Sequence, residues 1–283
     1  MKKIITCIDG SEMTDAVTAA AMWVASRTAC PLHFLHALEQ PLPQGRDDLT
    51  AIIGLGSQTA LIAQLDKLEQ QRNELASQHG QYLLDAVVAK AHAAGFIDAE
   101  QQQSQRNLVE ALLHVEQQAQ VMIIGRCGKG HNGNFKVLGS HIETIIRQVH
   151  TPVVVIPPQF HQPTNFMLAY DGSDSTDQAI AQIIQGDILK GLACHLVMVD
   201  KHDTGCQQKL DDATRLLREH GFEVTPALLD GDVYQALWQY KSDMAIDALV
   251  MGAFGHSKLR QFFLGSNTLR MLEDCHIPLV VLR

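Results

Sequence analysis

The chain repeats itself, and that restricts its fold more than any other feature. Asp9-Gly10-Ser11, followed by Thr14-Asp15, returns at the same spacing as Asp171-Gly172-Ser173 and Thr176-Asp177. His150, Pro152 and Val153–Ile156 return as His276, Pro278 and Leu279–Leu282. Between these markers, Val121-Met122-Ile123-Ile124 runs into Gly125-Arg126-Cys127-Gly128, and Asp247–Met251 runs into Gly252-Ala253-Phe254-Gly255. The order of features is the same in both halves. A chain of 283 residues is long enough for two cores, so the repeat reads as two homologous domains in tandem.

Within each half, short apolar runs alternate with longer amphipathic stretches, the pattern of a parallel sheet covered by helices. Strands are predicted at Lys3–Ile8, His33–Leu38, a weak run near Ala99–Gln105, Val121–Gly125 and Val153–Ile156. In the second half they are predicted at Phe166–Tyr170, His195–Val199, Glu223–Leu228, Ala248–Gly252 and Leu279–Leu282. Ser11 or Thr14 is suited to cap a helix over Ala16–Ser26, and Ser173 or Thr176 one over Gln178–Ile188. Helices Ser140–Val149 and Ser266–Cys275 follow the glycine loops. Pro152 and Pro278 then suit the first position of a last strand, where no N–H is needed. The fold class is therefore α/β, with two doubly wound, flavodoxin-like, five-stranded parallel sheets in tandem. Ligands of such sheets sit beyond the carboxyl ends of the strands, where the strand order reverses.

The expected boundaries are 1–157 for the first domain, 158–164 for a linker and 165–283 for the second. Pro157–Thr164 contains three prolines and no periodicity, as an extended connection would. The first half also carries an extra segment, about 40–72. Pro41–Gly45 reads as a loop, and Leu61, Ile62, Leu65 and Leu68 recur at helical spacing, as do Leu75, Tyr82 and Leu83. The simpler expectation is a helix packed on its own domain; the sharper one is a lid or a partner surface.

The net charge of −9 argues against nucleic acid and anionic membrane as non-specific partners. No apolar stretch approaches the roughly 20 residues that cross a bilayer. The opening Met1–Asp9 resembles a signal peptide only in its lysines, since Asp9 interrupts the apolar run. Six scattered cysteines without a Cys-x-x-Cys pair fit a reduced cytoplasmic protein, and fourteen scattered histidines offer no metal cluster.

The glycine loops carry the chemistry. Glycine lets backbone N–H groups approach an anion, and a helix start adds a favourable dipole. Gly252 and Gly255 are followed, nine residues later, by Gly265-Ser266; Gly125 and Gly128 are followed, ten residues later, by Gly139-Ser140. With the Asp-Gly-Ser turns and the duplication, this pattern resembles the universal stress protein family in tandem form. The resemblance covers nearly all of the chain outside the extra segment and the linker. It implies an adenine nucleotide alpha hydrolase-like fold and a stress-response protein binding ATP, or ADP or AMP, with Mg²⁺ as an optional companion of the phosphates.

By the same resemblance, the preferred site in the second half comprises Asp171, Val199, Gly252, Gly255, Gly265, Ser266 and Asn267. The site in the first half comprises Asp9, Ala37, Gly125, Gly128, Gly139, Ser140 and His141. The aspartates would contact the adenosine part, the backbone at Ala37 and Val199 the adenine, and the glycine loops the phosphates. Lys129, Lys136, His256, Lys258 and Arg260 would help neutralise the charge. The resemblance also implies intramolecular pairing of the two last strands, leaving homodimerisation and a protein partner open. Cys127, beside this positive charge, is a candidate redox thiol, though a passive small residue is the simpler reading. The alternatives are a slow ATPase or autophosphorylating enzyme, and a ligand-free interaction scaffold. Neither a Gly-x-x-x-x-Gly-Lys-Ser/Thr loop nor a kinase signature set is present, so no catalytic residue is assigned.

Overall fold

Val153–Ile156 and Leu279–Leu282, wholly aliphatic, become the two central strands of one sheet. The computed structural model describes residues 2–38, 55–127, 141–200, 205–252 and 266–283. The first half runs β1 (Lys3–Cys7), α1 (Thr14–Thr28), β2 (Leu32–Ala37), α2 (Leu55–Ala93), β3 (Glu100–Ser104), α3 (Leu108–Val115), β4 (Ala119–Gly125), α4 (Ile142–Gln148) and β5 (Val153–Ile156). The second runs β6 (Asn165–Ala169), α5 (Asp174–Gln185), β7 (Ala193–Asp200), α6 (Cys206–Glu219), β8 (Val224–Asp230), α7 (Val233–Asp243), β9 (Leu249–Gly252), α8 (Ser266–Asp274) and β10 (Leu279–Leu282).

The sheet order is β3-β2-β1-β4-β5-β10-β9-β6-β7-β8. Each half is parallel in the order third, second, first, fourth, fifth strand. Strand direction changes only where β5 meets β10, with Leu279 opposite Val155 and Val281 opposite Val153. The carboxyl ends of the two sets of strands therefore point to opposite edges of the sheet. The order reverses between β1 and β4 in the first half and between β6 and β9 in the second.

Side-chain alternation explains the aliphatic runs. Val154, Ile156, Val280 and Leu282 enter the core layer beneath α1, α2, α5 and α6. Val153, Val155, Leu279 and Val281 enter the layer beneath α3, α4, α7 and α8. A central strand of a parallel sheet is covered on both faces, so both sets of side chains must be apolar. β3 is the opposite case. Its Gln101, Gln102 and Gln103 are tolerated because it lies at an edge, where Gln103 Nε2 donates to Ser77 O at 2.9 Å and Ser77 Oγ to Gln103 Oε1 at 3.0 Å.

Local details depart from the sequence expectation in three places. Helix α1 has Met13 at its cap and no side-chain cap; Ser11 Oγ instead accepts from Met13 N at 3.2 Å, a turn that competes with capping. Helix α5 does have the expected cap, Ser173, paired with Thr176 in a capping box, but it ends at Gln185 rather than Ile188. Gly186 turns extended there, with φ −86° and ψ 158°.

The third departure is the extra segment. Its early part, with Pro41–Gly45, lies outside the described residues. From Leu55 the segment and the following helix are one helix, α2, of 39 residues. From 63 to 79 all its residues are exposed except the half-buried Ser77. Leu65, Leu68, Leu75 and Tyr82 are exposed by 40, 61, 65 and 72%. Packing begins at Gly80, where a Cβ would clash with Gln103 Nε2 and the His36 ring, and continues through Leu84, Val87 and Ala91.

Ala29, after the last turn of α1, has φ 52°, a position that favours glycine. Ala29→Gly is expected to raise stability by up to about 1 kcal/mol, measured as a shift of the denaturation midpoint.

Candidate functional site

At the reversal point of the second half, β6 delivers Asp171 two residues beyond its end, and β9 ends in Gly252. The register pairs Ala169 with Val197 and Leu168 with Val250. Counting on along the strands places Asp171 level with Val199 and Tyr170 level with Gly252. Three of the expected residues thus meet at one edge. Asp171 is held rather than loose: Oδ1 accepts from Ser173 N at 3.0 Å and from Thr176 Oγ1 at 2.9 Å. Gly172 has φ +67°, a conformation that an L side chain rarely adopts.

Gly252 is needed for space rather than for φ. A Cβ there would stand 3.1 Å from Ser175 Oγ and 3.6 Å from Thr176 Cγ2, at the start of α5. Ser266 opens α8 and Asn267 follows it, half-buried. Gly255 and Gly265 lie outside the described residues, as do His256, Lys258 and Arg260.

The first half repeats the arrangement on the opposite edge. Asp9 Oδ1 accepts from Ser11 N at 2.9 Å, and Gly10 has φ +72°. Pairing of Cys7 with Leu35 and of Thr6 with Ile123 carries Asp9 to the level of Ala37 and Ile8 to the level of Gly125. A Cβ on Gly125 would lie 3.1 Å from Met13 Cβ. His36 fixes the floor of this edge: its Nδ1 donates to Ile8 O at 2.6 Å, since a carbonyl can only accept. His141 directly precedes α4, half-buried. Gly128, Gly139 and Ser140, with Lys129 and Lys136, lie outside the described residues.

Two further residues contribute at these edges, and no spacing in the sequence marks their roles. Lys209, on α6, lies over the Gly172 turn, with Nζ donating to Gly172 O at 3.0 Å. Over the Gly10 turn the corresponding place is taken by Leu83 of α2. The second edge therefore has a cation where the first has a hydrocarbon. The other residue is Arg126, in the first glycine loop and only 2% exposed. Its Nη1 donates to Glu273 O at 2.9 Å and Cys275 O at 3.1 Å, at the carboxyl end of α8 in the other half. The end of the chain mirrors this contact: Arg283 Nη1 donates to Arg147 O at 2.8 Å and Val149 O at 3.2 Å, at the end of α4. Each guanidinium meets the negative end of a helix dipole across the junction.

Cys127, the candidate redox thiol, does not have the lowered pKa expected of an activated thiolate. It is buried, and desolvation pushes its thiol above the ordinary value by more than the neighbouring Arg126 draws it down. Cys7 and Cys194 are pushed up by burial to about 12, Cys7 with a smaller contribution from Asp9. All six cysteines are free thiols. Brief alkylation at neutral pH is expected to label Cys30 and Cys206 before the buried Cys127, Cys194 and Cys275, and before Cys7, which is also half-buried but whose thiol is pushed up, as peptide mapping would show.

Residues 1–157 and 197–283 match the universal stress protein family. The chain belongs to this family. It is 30% identical to the universal stress protein Slr1230 of Synechocystis sp. over 287 residues, spanning all of both chains. Among solved structures, it is similar to a universal stress protein of Archaeoglobus fulgidus at TM-score 0.70 and 16% identity, covering 99% of this chain and 98% of that one. It is also similar to a putative universal stress protein of Pseudomonas aeruginosa at TM-score 0.63 and 14% identity, covering 100% and 93%. At these identities the structural likenesses speak for the fold. Two universal stress protein domains thus stand in tandem, and among the described residues no helix is long and apolar enough to cross a membrane.

Proposed function

We propose that this universal stress protein binds an adenine nucleotide, ATP before ADP or AMP, at the carboxyl edge of its second half, and at that of its first half with lower affinity. On this reading it is a nucleotide-responsive regulator in the cytoplasm rather than an enzyme. Its units are 1–157 and 165–283, joined by 158–164. The observation that carries the reading is the meeting of a braced aspartate with a side-chain-free strand end at each reversal point: Asp171 with Gly252, and Asp9 with Gly125. These positions suit a phosphate-bearing ligand, because a strand end without a side chain leaves its backbone N–H groups open to an anion. Asp171 and Val199 would orient the adenosine part. Gly252, Gly255, Gly265, Ser266 and Asn267 would hold the phosphates. Ala37, Gly128, Gly139, Ser140 and His141 would act likewise with Asp9 and Gly125. Mg²⁺ enters only as a counter-ion of the phosphates.

Lys209 over Gly172 is the reason to rank the second site above the first, since a cation near the rim favours an anionic ligand. Titration calorimetry with ATP is the test. Saturable binding with a rise in melting temperature is expected, and Gly255→Val is expected to weaken it at least tenfold. No heat and no stabilisation at millimolar ATP would refute the proposal. Unchanged affinity in Gly255→Val would refute the placement of the phosphates.

A further inference from the structure

Helix α2 is too long for the domain that carries it. At 1.5 Å per residue its 39 residues span about 58 Å. The packed portion begins at Gly80. Between 63 and 79 every residue is exposed except Ser77, which is half-buried against Gln103 of β3. A helix of this length without a packed face is marginal in water. Yet its large apolar residues are not scattered. Leu65, Leu68, Leu75 and Tyr82 stand in line and solvent-exposed, and Leu61 extends the line in the sequence. With Arg72 and His79 filling the gaps, the steps along the line alternate between four residues and three. This is a heptad seam, with a period of 3.5 rather than 3.6, and such a seam matches another helix of the same period.

The polar members of the seam select the partner and its direction. Parallel pairing with an identical helix would stack Arg72 on Arg72 and His79 on His79. Antiparallel pairing centred near Gln70 sets Leu65 against Leu75 and Leu68 against Arg72. It also brings Glu69 of each helix beside Arg72 of the other, so the charges at the crossing cancel. We infer that the exposed part of α2 pairs antiparallel with the same segment of a second copy of this chain. The exposed stretch from 63 to 79 is only about 25 Å long. The contact is therefore smaller than the roughly 800 Å² per partner of a standard interface. The dimer is reversible and comes apart on dilution. It leaves both sheet edges, and hence both candidate nucleotide sites, open, and it does not depend on whether those sites bind.

Sedimentation velocity of the full chain over a concentration series tests the pairing. A monomer–dimer equilibrium is expected. Leu68→Asp with Leu75→Asp should abolish it, with far-UV circular dichroism and thermal unfolding showing an intact fold. Leu113→Asp, at an exposed leucine of α3, should leave it unchanged. Glu69→Arg alone should weaken dimerisation about tenfold, which corresponds to about 1.4 kcal/mol. Glu69→Arg combined with Arg72→Glu should restore it. A chain that stays monomeric at high micromolar concentration would overturn the inference, as would a dimer that survives the paired aspartates. Failure of the charge exchange to restore association would overturn the antiparallel crossing.

Discussion

Arg126→Met is expected to destabilise the protein by about 2–4 kcal/mol, because it removes charge-assisted bonds to one buried and one part-buried carbonyl and leaves these acceptors without the guanidinium. Arg126 is 2% exposed, and its guanidinium bonds Glu273 O and Cys275 O where α8 ends. Methionine keeps most of the volume, so cavity formation contributes little and the loss reports chiefly on the polar contact. The contact bridges the halves, so the loss should appear as weaker coupling as well as a lower midpoint. Urea unfolding followed by fluorescence of Trp23 in the first half and Trp238 in the second would show two separated transitions in place of one. Arg283→Met, which removes the mirror contact to Arg147 O and Val149 O, should act in the same direction with a smaller effect, because Arg283 is only half-buried. A midpoint unchanged in Arg126→Met would show that the carbonyls of α8 find other partners.

Gly252→Val is expected to cost at least about a hundredfold in nucleotide affinity at the second edge, equivalent to about 2.7 kcal/mol. The valine Cβ would press on Ser175 Oγ at 3.1 Å and its methyls on Thr176. Thr176 is the residue whose hydroxyl braces Asp171 and whose N–H is capped by Ser173, so one substitution disturbs strand end, cap and aspartate together. Overpacking should also lower stability by about 1–3 kcal/mol, and affinity must therefore be measured well below the melting temperature. Gly125→Val is the companion measurement. There the obstacles are Met13 Cβ at 3.1 Å, which is fixed to its backbone, and Val17 Cγ2 at 3.4 Å, so the clash has no flexible side-chain end to relieve it. If both halves bind, each variant should lower the calorimetric stoichiometry from two to one. If only the second half binds, Gly125→Val should leave the isotherm unchanged. Full binding retained in Gly252→Val would remove the second edge from the proposal.

Much of the architecture is legible in the sequence because it is written in short-range terms. Strands reveal themselves through aliphatic runs bounded by turn residues, and β5 and β10 fall where the sequence places them. Asp9 and Asp171 are identifiable because the Asp-Gly-Ser turn demands a positive φ at Gly10 and Gly172 and a side-chain acceptor just before it. Gly125 and Gly252 are identifiable because each ends an apolar run. Where local competition decides, spacing alone misplaces the helix ends. Ser11 satisfies the backbone of its own turn instead of capping α1, and Gly186 ends α5 earlier than the apolar spacing suggests.

The sequence by itself determined the duplication, the ten strands and the positions of the aspartates and glycines at the strand ends, because each depends on neighbours a few residues apart. Tertiary structure decided everything that required knowing what lies opposite. The antiparallel meeting of β5 and β10 sends the two candidate sites to opposite edges. Lys209 falls over Gly172 and Leu83 over Gly10, a difference in charge that no motif announces. Arg126 finds its carbonyls on a helix of the other half. Periodicity made α2 a helix and lined up its leucines; only the fold left that line uncovered. Spacing along a chain reports which face of an element is apolar, whereas what covers that face depends on residues far away in sequence.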